Sequence, residues 1–188
     1  MPARSARETV AERDRSAFVI VDFQERLVPH IAGHESIQAN LIRISRGAEI
    51  LKVPLVVTEQ NPRGLGPTVS ELEECFGGTE KIEKMTFSCF GEPKFSGRLK
   101  GLNVRTLLIG GIEAHICVAQ TALAAIAEGF SVHVLVDAIG SRNPANAEAA
   151  VDRLKEAGAV ISTTEMALFE LLGRAGTPEF KEVQKLIK

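Results

Sequence analysis

Short apolar runs separated by amphipathic stretches dominate the chain, and they predict its strands. The runs lie at residues 17–22, 55–58, 81–84, 104–109, 131–137 and 160–162. Most are continuous rather than alternating, which is typical of parallel strands that are covered on both faces. The run at 81–84 is the weakest of them, and the run at 17–22 ends in an acid, Asp22.

Helical spacing fills the intervals between these runs. The clearest helix is predicted at residues 36–51, where one face carries Ile37, Leu41, Ile44, Ala48 and Leu51. Further helices are predicted at 69–75, 95–102, 117–129, 144–157, 164–172 and 177–187, and loops at 59–68 and 86–93. Strands that alternate with helices of this length indicate a parallel sheet wrapped on both sides.

We therefore predict an α/β fold, a three-layer sandwich with a mostly parallel, doubly wound central sheet. Residues 17–188 form one domain, because no repeat, linker or low-complexity tract divides them. Residues 1–16 are predicted to be a polar arm or short helix that packs on a neighbouring subunit. Ligands of such sheets bind beyond the carboxyl ends of the strands. The residues at or just past those ends are Asp22, Glu59, Gln60, Lys84, Glu113, Cys117 and Asp137.

Composition narrows the possible partners. The chain has 188 residues, a net charge of −2, and no Trp or Tyr, which argues against a nucleic-acid partner. No apolar run approaches the roughly 20 residues that span a bilayer, so no membrane partner is expected. The three cysteines, Cys75, Cys89 and Cys117, are widely spaced. This spacing argues against a disulfide framework or a zinc site and for a reducing, cytoplasmic setting.

Cys117 is the first candidate for chemistry. It follows an apolar strand and a Gly110-Gly111 break, at the expected start of an Ala-rich helix. Unpaired N–H groups and the positive end of a helix favour a thiolate, so we expect a lowered thiol pKa and a nucleophile. From position alone, a buried and inert cysteine is an equal alternative. A nucleophilic thiolate also needs a cation and a base, for which Lys84 and Asp22, each ending a strand, are candidates.

Three motifs together resemble a known family. VDFQ at 21–24, the lysine of EKMTFSCF at 84, and GGIEAHICV at 110–118 are similar to the isochorismatase-like cysteine hydrolase superfamily. That superfamily includes nicotinamidases and N-carbamoyl amidases, and the similarity runs from about residue 17 to 172. The resemblance implies a catalytic triad of Asp22, Lys84 and Cys117. It also implies a cis peptide at Ile112–Glu113, with the N–H groups of Glu113 and Cys117 as an oxyanion hole.

The chain departs from the nicotinamidases where those enzymes carry an Asp-x-His metal motif. The matching stretch here is TEQNPRGLG, which contains no histidine. His30 and His34 straddle Gly33 and are interpreted as solvated loop residues. We therefore expect no catalytic metal and no cofactor. The TEQ and GIEAH segments are more similar to the less characterised isochorismatase-domain proteins, for which the resemblance names no substrate.

Residues near the predicted triad are weaker candidates for substrate binding. Gln24 and Gln60 could donate or accept in a pocket, and Phe23, Phe87 and Phe90 could form an apolar wall. His115 could face the pocket or a subunit interface, the interface being favoured. Asp137 is expected to hydrogen-bond the turn at 141–143, and Cys75 and Cys89 are expected to be passive.

The leading hypothesis is a metal-independent hydrolase that cleaves a C–N bond of a small amide or ureido substrate through a Cys117 thioester. An alternative is vinyl ether hydrolysis of the isochorismatase type, with Asp22 as general acid and no covalent step. A second alternative is a binding or scaffold protein on a retired hydrolase fold. A dinucleotide-binding protein is discarded because Ile112 and His115 occupy glycine positions of G-x-G-x-x-G. The resemblance also implies a homo-oligomer, a dimer or larger.

Overall fold

A six-stranded parallel sheet forms the centre of the computed structural model, which describes residues 9–188. The strand order is β3-β2-β1-β4-β5-β6, and every neighbouring pair is parallel. The strands are β1 (Ser16–Val21), β2 (Leu55–Gln60), β3 (Lys81–Lys84), β4 (Thr106–Ile112), β5 (Ser131–Gly140) and β6 (Val160–Ser162). The predicted fold class is confirmed, although β2 continues through Gln60 and β5 through Gly140.

Helices cover both faces of this sheet. They are α1 (His34–Leu51), α2 (Pro62–Leu65), α3 (Ser70–Glu73), α4 (Pro93–Leu102), α5 (Ala119–Ala127), α6 (Pro144–Glu156), α7 (Thr164–Leu172) and α8 (Pro178–Ile187). Short 3₁₀ turns lie at Arg13–Arg15, Val28–His30 and Cys89–Gly91. Within residues 9–188, none of the helices combines the length and apolarity that a membrane crossing needs.

Two hydrophobic cores lie on opposite faces of the sheet, as the period of a strand requires. Phe18 and Ile20 of β1 pack into one core with residues of α1, α7 and α8. Val19 and Val21 point the other way, into a core with residues of α4, α5 and α6. Because β1 is buried on both faces, its sequence is a continuous apolar run, and each large side chain contributes roughly 1.5–3 kcal/mol through burial.

The first residues described pack against the same chain. Residues 1–8 of the predicted arm lie outside the described part, and Ser16 already belongs to β1. The N–H of Ala11, which is buried, donates to Glu170 Oε2 at 2.9 Å, and Arg13 Nε donates to the carbonyl of Leu51 at 2.6 Å. These contacts attach residues 11–13 to α1 and α7, and packing of the arm on a neighbouring subunit stays a prediction.

The chain after β4 differs from the prediction in a way that affects the site. The predicted helix from Cys117 begins as a single π turn, Ala114–Val118, and the α-helical hydrogen-bond pattern starts at Ala119. The N–H of Val118 donates to Glu113 O at 3.2 Å, which closes the wide turn. Such single π turns are frequent at functional sites. Cys117 therefore lies inside a π turn rather than at the first position of an α-helix.

Candidate active site

The strand order brings four chain segments together at the end of the sheet where the carboxyl ends of the strands lie. β3, β2, β1 and β4 are consecutive neighbours, and their carboxyl ends lie side by side. Thr58 pairs with Val21, and Lys84 with Gln60. Gly111 pairs with Val21 on the other side of β1. Residues more than 60 positions apart along the chain are thus adjacent in space, at the edge where ligands of open α/β sheets bind.

Asp22 is the first residue past β1 and is fully buried. Its φ of +51° lies in the left-handed region, which aspartate tolerates better than most residues and which turns the chain out of the sheet. The two carboxylate oxygens have different partners. Thr58 Oγ1 donates to Oδ1 at 2.7 Å, and Lys84 Nζ donates to Oδ2 at 2.6 Å.

Lys84 is a buried cation whose position is set by acceptors on several sides. Besides Asp22, its ammonium donates to Gln60 Oε1 at 2.8 Å and to the carbonyls of Phe87 at 3.1 Å and Thr86 at 3.2 Å. Buried charges persist when they are paired and hydrogen-bonded in this way. The ammonium therefore has a fixed place beside the Asp22 carboxylate.

Cys117 completes the group predicted from the sequence. It is 7% exposed, and its thiol lies close enough to the Asp22 carboxylate for a hydrogen bond between them to raise the thiol pKa. The charges of both Asp22 and Lys84 act on it. The three side chains therefore converge at one edge of the sheet, and the thiol retains limited access to solvent.

The ionisation of Cys117 is opposite to the sequence-based expectation. Burial raises the pKa of the thiol well above its ordinary value of 9.0, and the Asp22 charge raises it further. The Lys84 ammonium lowers this pKa but does not compensate for burial. This direction argues against the expected resting thiolate, because desolvation penalises the charged form more than one nearby cation favours it. The resting group is a thiol hydrogen-bonded to a carboxylate.

The turn between β4 and the π turn is held by a side-chain contact. The Ile112–Glu113 peptide bond is cis, at the position that the resemblance implies. The Glu113 carboxylate accepts the N–H of Arg142 at 2.9 Å, and Arg142 Nε donates to Glu113 Oε1 at 3.1 Å. The turn after β5 therefore fixes Glu113.

Gln24 and Gln60 make more internal contacts than the sequence suggested. Gln24 is fully buried: its Oε1 accepts the Gln60 N–H at 2.8 Å, and its Nε2 donates to the carbonyls of Gln60 and Gly66. Both of its amide hydrogens are used within the chain, and its predicted substrate contact stays a prediction. Gln60 Nε2 donates to Met85 O at 2.9 Å while its Oε1 accepts Lys84. Gln60 holds Lys84, and its role in substrate binding stays a prediction.

The phenylalanines predicted to wall a pocket occupy three different environments. Phe23 is buried in the core on the α1 side of the sheet, and its predicted contact with substrate stays a prediction. Phe90 packs edge-on against Phe95 at a centroid distance of 5.1 Å. Phe87 is 54% exposed beside Lys84, and its contact with substrate stays a prediction.

His115 and Asp137 also have identifiable partners. His115 Nδ1 lies 2.8 Å from Ser141 Oγ, which attaches the π turn to the chain after β5; its predicted substrate contact stays a prediction. Asp137 was expected to bond the turn at 141–143. Instead its Oδ1 accepts the N–H and Oγ1 of Thr164 at 2.8 and 3.0 Å, because β5 runs on to Gly140 and Asp137 faces the start of α7.

The histidines are spread over separate elements. His30 is exposed in a 3₁₀ turn, whereas His34, expected in a loop, is the first residue of α1. Among residues 9–188, no three His, Cys, Asp or Glu side chains group in a way that could hold a metal ion. Metal independence stays a prediction, because it derives from the missing Asp-x-His motif.

Cys89 lies beside the triad, which the sequence analysis missed. Its thiol is fully buried, lies 3.7 Å from Thr58 Oγ1, and is acted on by the charges of Asp22 and Lys84. Burial first, then the Asp22 charge, raises its pKa from 9.0 to about 11. The expectation of a passive cysteine stays a prediction, but its place beside Asp22 and Lys84 was not predicted. The available signal was its position five residues after Lys84.

The raised pKa of Cys89 predicts a loss of stability at high pH. Above pH 9 the unfolded chain releases this proton while the folded protein retains it, so the unfolding free energy falls as pH rises. From pH 9 to 11 this contribution is roughly 2–3 kcal/mol. Urea unfolding at each pH, for wild type and Cys89→Ala, measures it as the difference between the two curves. Cys75→Ala, which removes a partly exposed thiol, is the matched control. Parallel curves for wild type and Cys89→Ala would contradict the prediction.

The fold and its buried sheet-edge site define the class of this protein, an α/β protein with a hydrolase fold. The chain belongs to the isochorismatase family: the isochorismatase domain matches residues 16–166. Isochorismatase domain-containing protein 2 of Homo sapiens is 39% identical over 175 residues, which cover 92% of this chain and 83% of the relative. The resemblance stated from the sequence is confirmed.

Solved structures support the same assignment. A protein of Caenorhabditis elegans described as MAR1 ribonuclease has a TM-score of 0.90 at 37% identity, covering 95% of this chain and 92% of its own. YcaC of Pseudomonas aeruginosa, solved with hexane-2,5-diol and covalent acrylamide, has a TM-score of 0.90 at 25% identity, covering 98% and 93%. YcaC of Escherichia coli, described as an octameric hydrolase of unknown specificity, has a TM-score of 0.89 at 25% identity, covering 98% and 92%.

Proposed function

We propose that this chain is a metal-independent cysteine hydrolase that cleaves the C–N bond of a small amide or ureido substrate. The observation that carries the proposal is the contact set of Asp22, whose carboxylate touches both the Lys84 ammonium and the Cys117 thiol in a buried site. A nucleophile within reach of a base, and a base oriented by a third group, is the arrangement that covalent catalysis requires.

The first half of the reaction follows from the protonation state of the thiol. Cys117 Sγ forms a bond to the substrate carbonyl carbon while its proton passes to Asp22, so no resting thiolate is needed. The carbonyl oxygen becomes an oxyanion that the N–H groups of Glu113 and Cys117 stabilise, a contribution typically of about 3–4 kcal/mol per donor. The C–N bond then breaks, and the amine leaves with the proton from Asp22.

The second half regenerates the enzyme. Asp22 takes a proton from water, the hydroxide adds to the thioester carbonyl, and the C–S bond breaks to release the acid. The thiolate recovers its proton from Asp22. Lys84 remains protonated throughout and stabilises whichever of the two neighbouring groups is negative. This role needs a fixed cation, which the four acceptors around its ammonium provide.

Intact-protein mass spectrometry after exposure to a panel of small amides and ureido compounds tests the mechanism. We expect a mass increment on Cys117 that matches the acyl group of a substrate. Cys117→Ser should lower hydrolysis at least about 1,000-fold, because removing the nucleophile of a covalent mechanism removes its main advantage. Cys75→Ser, outside the site, should retain activity. Full activity in Cys117→Ser would instead support the vinyl ether mechanism, in which Asp22 is the general acid.

Electrophilic probes extend this test. A relative holds covalent acrylamide, so acrylamide is a suitable reagent for Cys117 here.

RNA belongs in the substrate panel because another relative is described as a ribonuclease. The net charge of −2 gives this chain no general attraction for phosphate, so we expect no RNA cleavage. No adduct on Cys117 with any reagent, and no hydrolysis, would support the scaffold alternative.

We also infer that the protein is a homo-oligomer. One relative is described as an octameric hydrolase. Met85 and Phe87, which are 73% and 54% exposed, present large apolar side chains next to Lys84. Size-exclusion chromatography with light scattering at several concentrations measures the assembly, and a monomer at all of them would contradict the inference.

A further inference from the structure

Three buried polar side chains form a connected chain that ends at Asp22, and the mechanism above uses only Asp22 among them. Thr58 on β2 lies between Asp22 and Cys89, and all three residues are fully buried. Thr58 Oγ1 donates to Asp22 Oδ1 at 2.7 Å, and Cys89 Sγ lies 3.7 Å from Thr58 Oγ1. We call these three side chains the Cys89–Thr58–Asp22 relay.

In both hydrogen bonds of this relay, the donor lies on the side away from Asp22 and the acceptor on the side toward it. A carboxylate can only accept hydrogen bonds, so the Thr58 hydroxyl donates its single hydrogen to Asp22. The Thr58 oxygen is then free to accept, and Cys89, which is protonated because burial raises its pKa to about 11, is the donor. Both donors therefore point toward Asp22 and favour its negative form.

The same relay is attached to the helix that carries the nucleophile. The N–H of Cys89 donates to Thr121 Oγ1 at 3.0 Å. Thr121 lies on α5, one helical turn after Cys117. Cys89 is thus held on one side by β2 and on the other by α5, so the relay has a defined position relative to both the base and the nucleophile.

We propose that Thr58 is a positioning residue for the reaction: its hydroxyl, oriented by the Cys89 thiol, stabilises the Asp22 carboxylate and turns its second oxygen toward Lys84. This inference rests on the proposed function, since it assigns Asp22 the role of proton acceptor. The Thr58 hydroxyl fixes the orientation of the Asp22 carboxylate and stabilises its negative charge. A carboxylate that lacks this donor takes the Cys117 proton more readily, but it no longer has a fixed orientation.

The alkylation rate of Cys117 reports on this proton transfer without a known substrate. The titratable groups that face Cys117 are Asp22 from β1, Lys84 from β3, and Cys89 from its 3₁₀ turn. Loss of the Thr58 donor destabilises the Asp22 carboxylate. A larger fraction of the pair then holds the shared proton on Asp22, which leaves Cys117 as the reactive thiolate near neutral pH. We expect Thr58→Val to react with iodoacetamide about threefold to tenfold faster than wild type at pH 7.5.

The experiment measures the pH profile of Cys117 alkylation by peptide mass spectrometry. Thr58→Ser keeps the hydroxyl and should keep the wild-type profile. Thr106→Val makes the same substitution at a buried position on β4, at the opposite end of the sheet, and should also match wild type. Thr58→Val should shift the profile to lower pH.

A double-mutant cycle separates positioning from a merely structural effect. If Thr58 acts through Asp22, Thr58→Val should change nothing further in the Asp22→Asn background. Circular dichroism and thermal melting show whether each variant is folded. If Thr58→Val does not fold, Cys89→Ala tests the other end of the relay, with a shift in the same direction of about twofold to threefold.

The outcomes are distinct. An unshifted profile in folded Thr58→Val, or in folded Cys89→Ala if the first variant does not fold, overturns the inference. So does a Thr58→Val shift that persists in Asp22→Asn. Failure of the proposed function is detected by a different experiment, the test with amide and ureido compounds. It would give retained hydrolysis in Cys117→Ser or no acyl adduct on Cys117.

Discussion

Replacing Lys84 with methionine is expected to abolish hydrolysis and to slow alkylation of Cys117 at pH 8 more than about tenfold. Lys84 is the charged neighbour that lowers the pKa of this thiol, so its loss leaves only burial, the Asp22 charge and Cys89, which raise that pKa. The rate of iodoacetamide modification, followed by peptide mass spectrometry, measures the effect. Lys100→Met, on the exposed side of α4, is the matched control and should react like wild type.

The same substitution should also lower stability. It leaves the Asp22 carboxylate buried without its cation, a change that typically costs about 3–5 kcal/mol. Urea unfolding of wild type and Lys84→Met at pH 7 measures this loss. A Lys84→Met protein with wild-type stability and wild-type alkylation would show that the ammonium does not serve either partner.

Asp22→Asn is expected to change the rate of Cys117 alkylation in the opposite direction to Lys84→Met. Asp22 raises the pKa of Cys117 both by its charge and by their hydrogen bond, so the amide variant should alkylate faster, by about tenfold at pH 8. Hydrolysis should nevertheless be lost, because no proton acceptor remains for the attack or for the water step. A variant that modifies faster and turns over less would separate thiol reactivity from catalysis.

Replacing Gly111 with alanine is expected to lower the unfolding free energy by about 4 kcal/mol or more. Gly111 has a φ of +116°, which only glycine adopts readily. A Cβ there would lie 2.1 Å from Val21 O and 2.5 Å from Val21 N, both backbone atoms of β1. Backbone cannot move aside as a flexible side chain can, so β1 and β4 would separate. Chemical unfolding of both proteins measures the difference.

The control for Gly111→Ala is Gly97→Ala. Gly97 lies on the exposed side of α4, with nothing within 4 Å of an added Cβ. There alanine should stabilise by about 0.5–1 kcal/mol, because it has the higher helix propensity. A Gly111→Ala protein as stable as Gly97→Ala would contradict the prediction, since β4 could then separate from β1 without lowering the unfolding free energy. Any folded Gly111→Ala should be inactive, since β4 leads directly into Glu113.

Local pattern was sufficient for the architecture and for the choice of Asp22, Lys84 and Cys117 as candidates. Continuous apolar runs predicted most of the strands because parallel strands are buried on both faces. β3, with the sequence KIEK, has one apolar residue and was predicted only as a weak strand. The triad could be named because its three motifs keep a recognisable order along the chain. The same local reasoning placed Gln24 and Phe23 in a pocket, since a sequence shows that a side chain follows a strand but not which of its atoms are already bonded.

What the sequence by itself determined is therefore the layered α/β fold, the family and the identities of Asp22, Lys84 and Cys117. The tertiary structure alone decided that burial raises the pKa of the Cys117 thiol, that Thr58 contacts both Asp22 and Cys89, and that Asp137 bonds α7. The physical reason is the range of the interactions. Apolar periodicity acts over a few neighbouring residues, whereas desolvation and hydrogen-bond partners depend on atoms from distant parts of the chain, which only the packed molecule brings together.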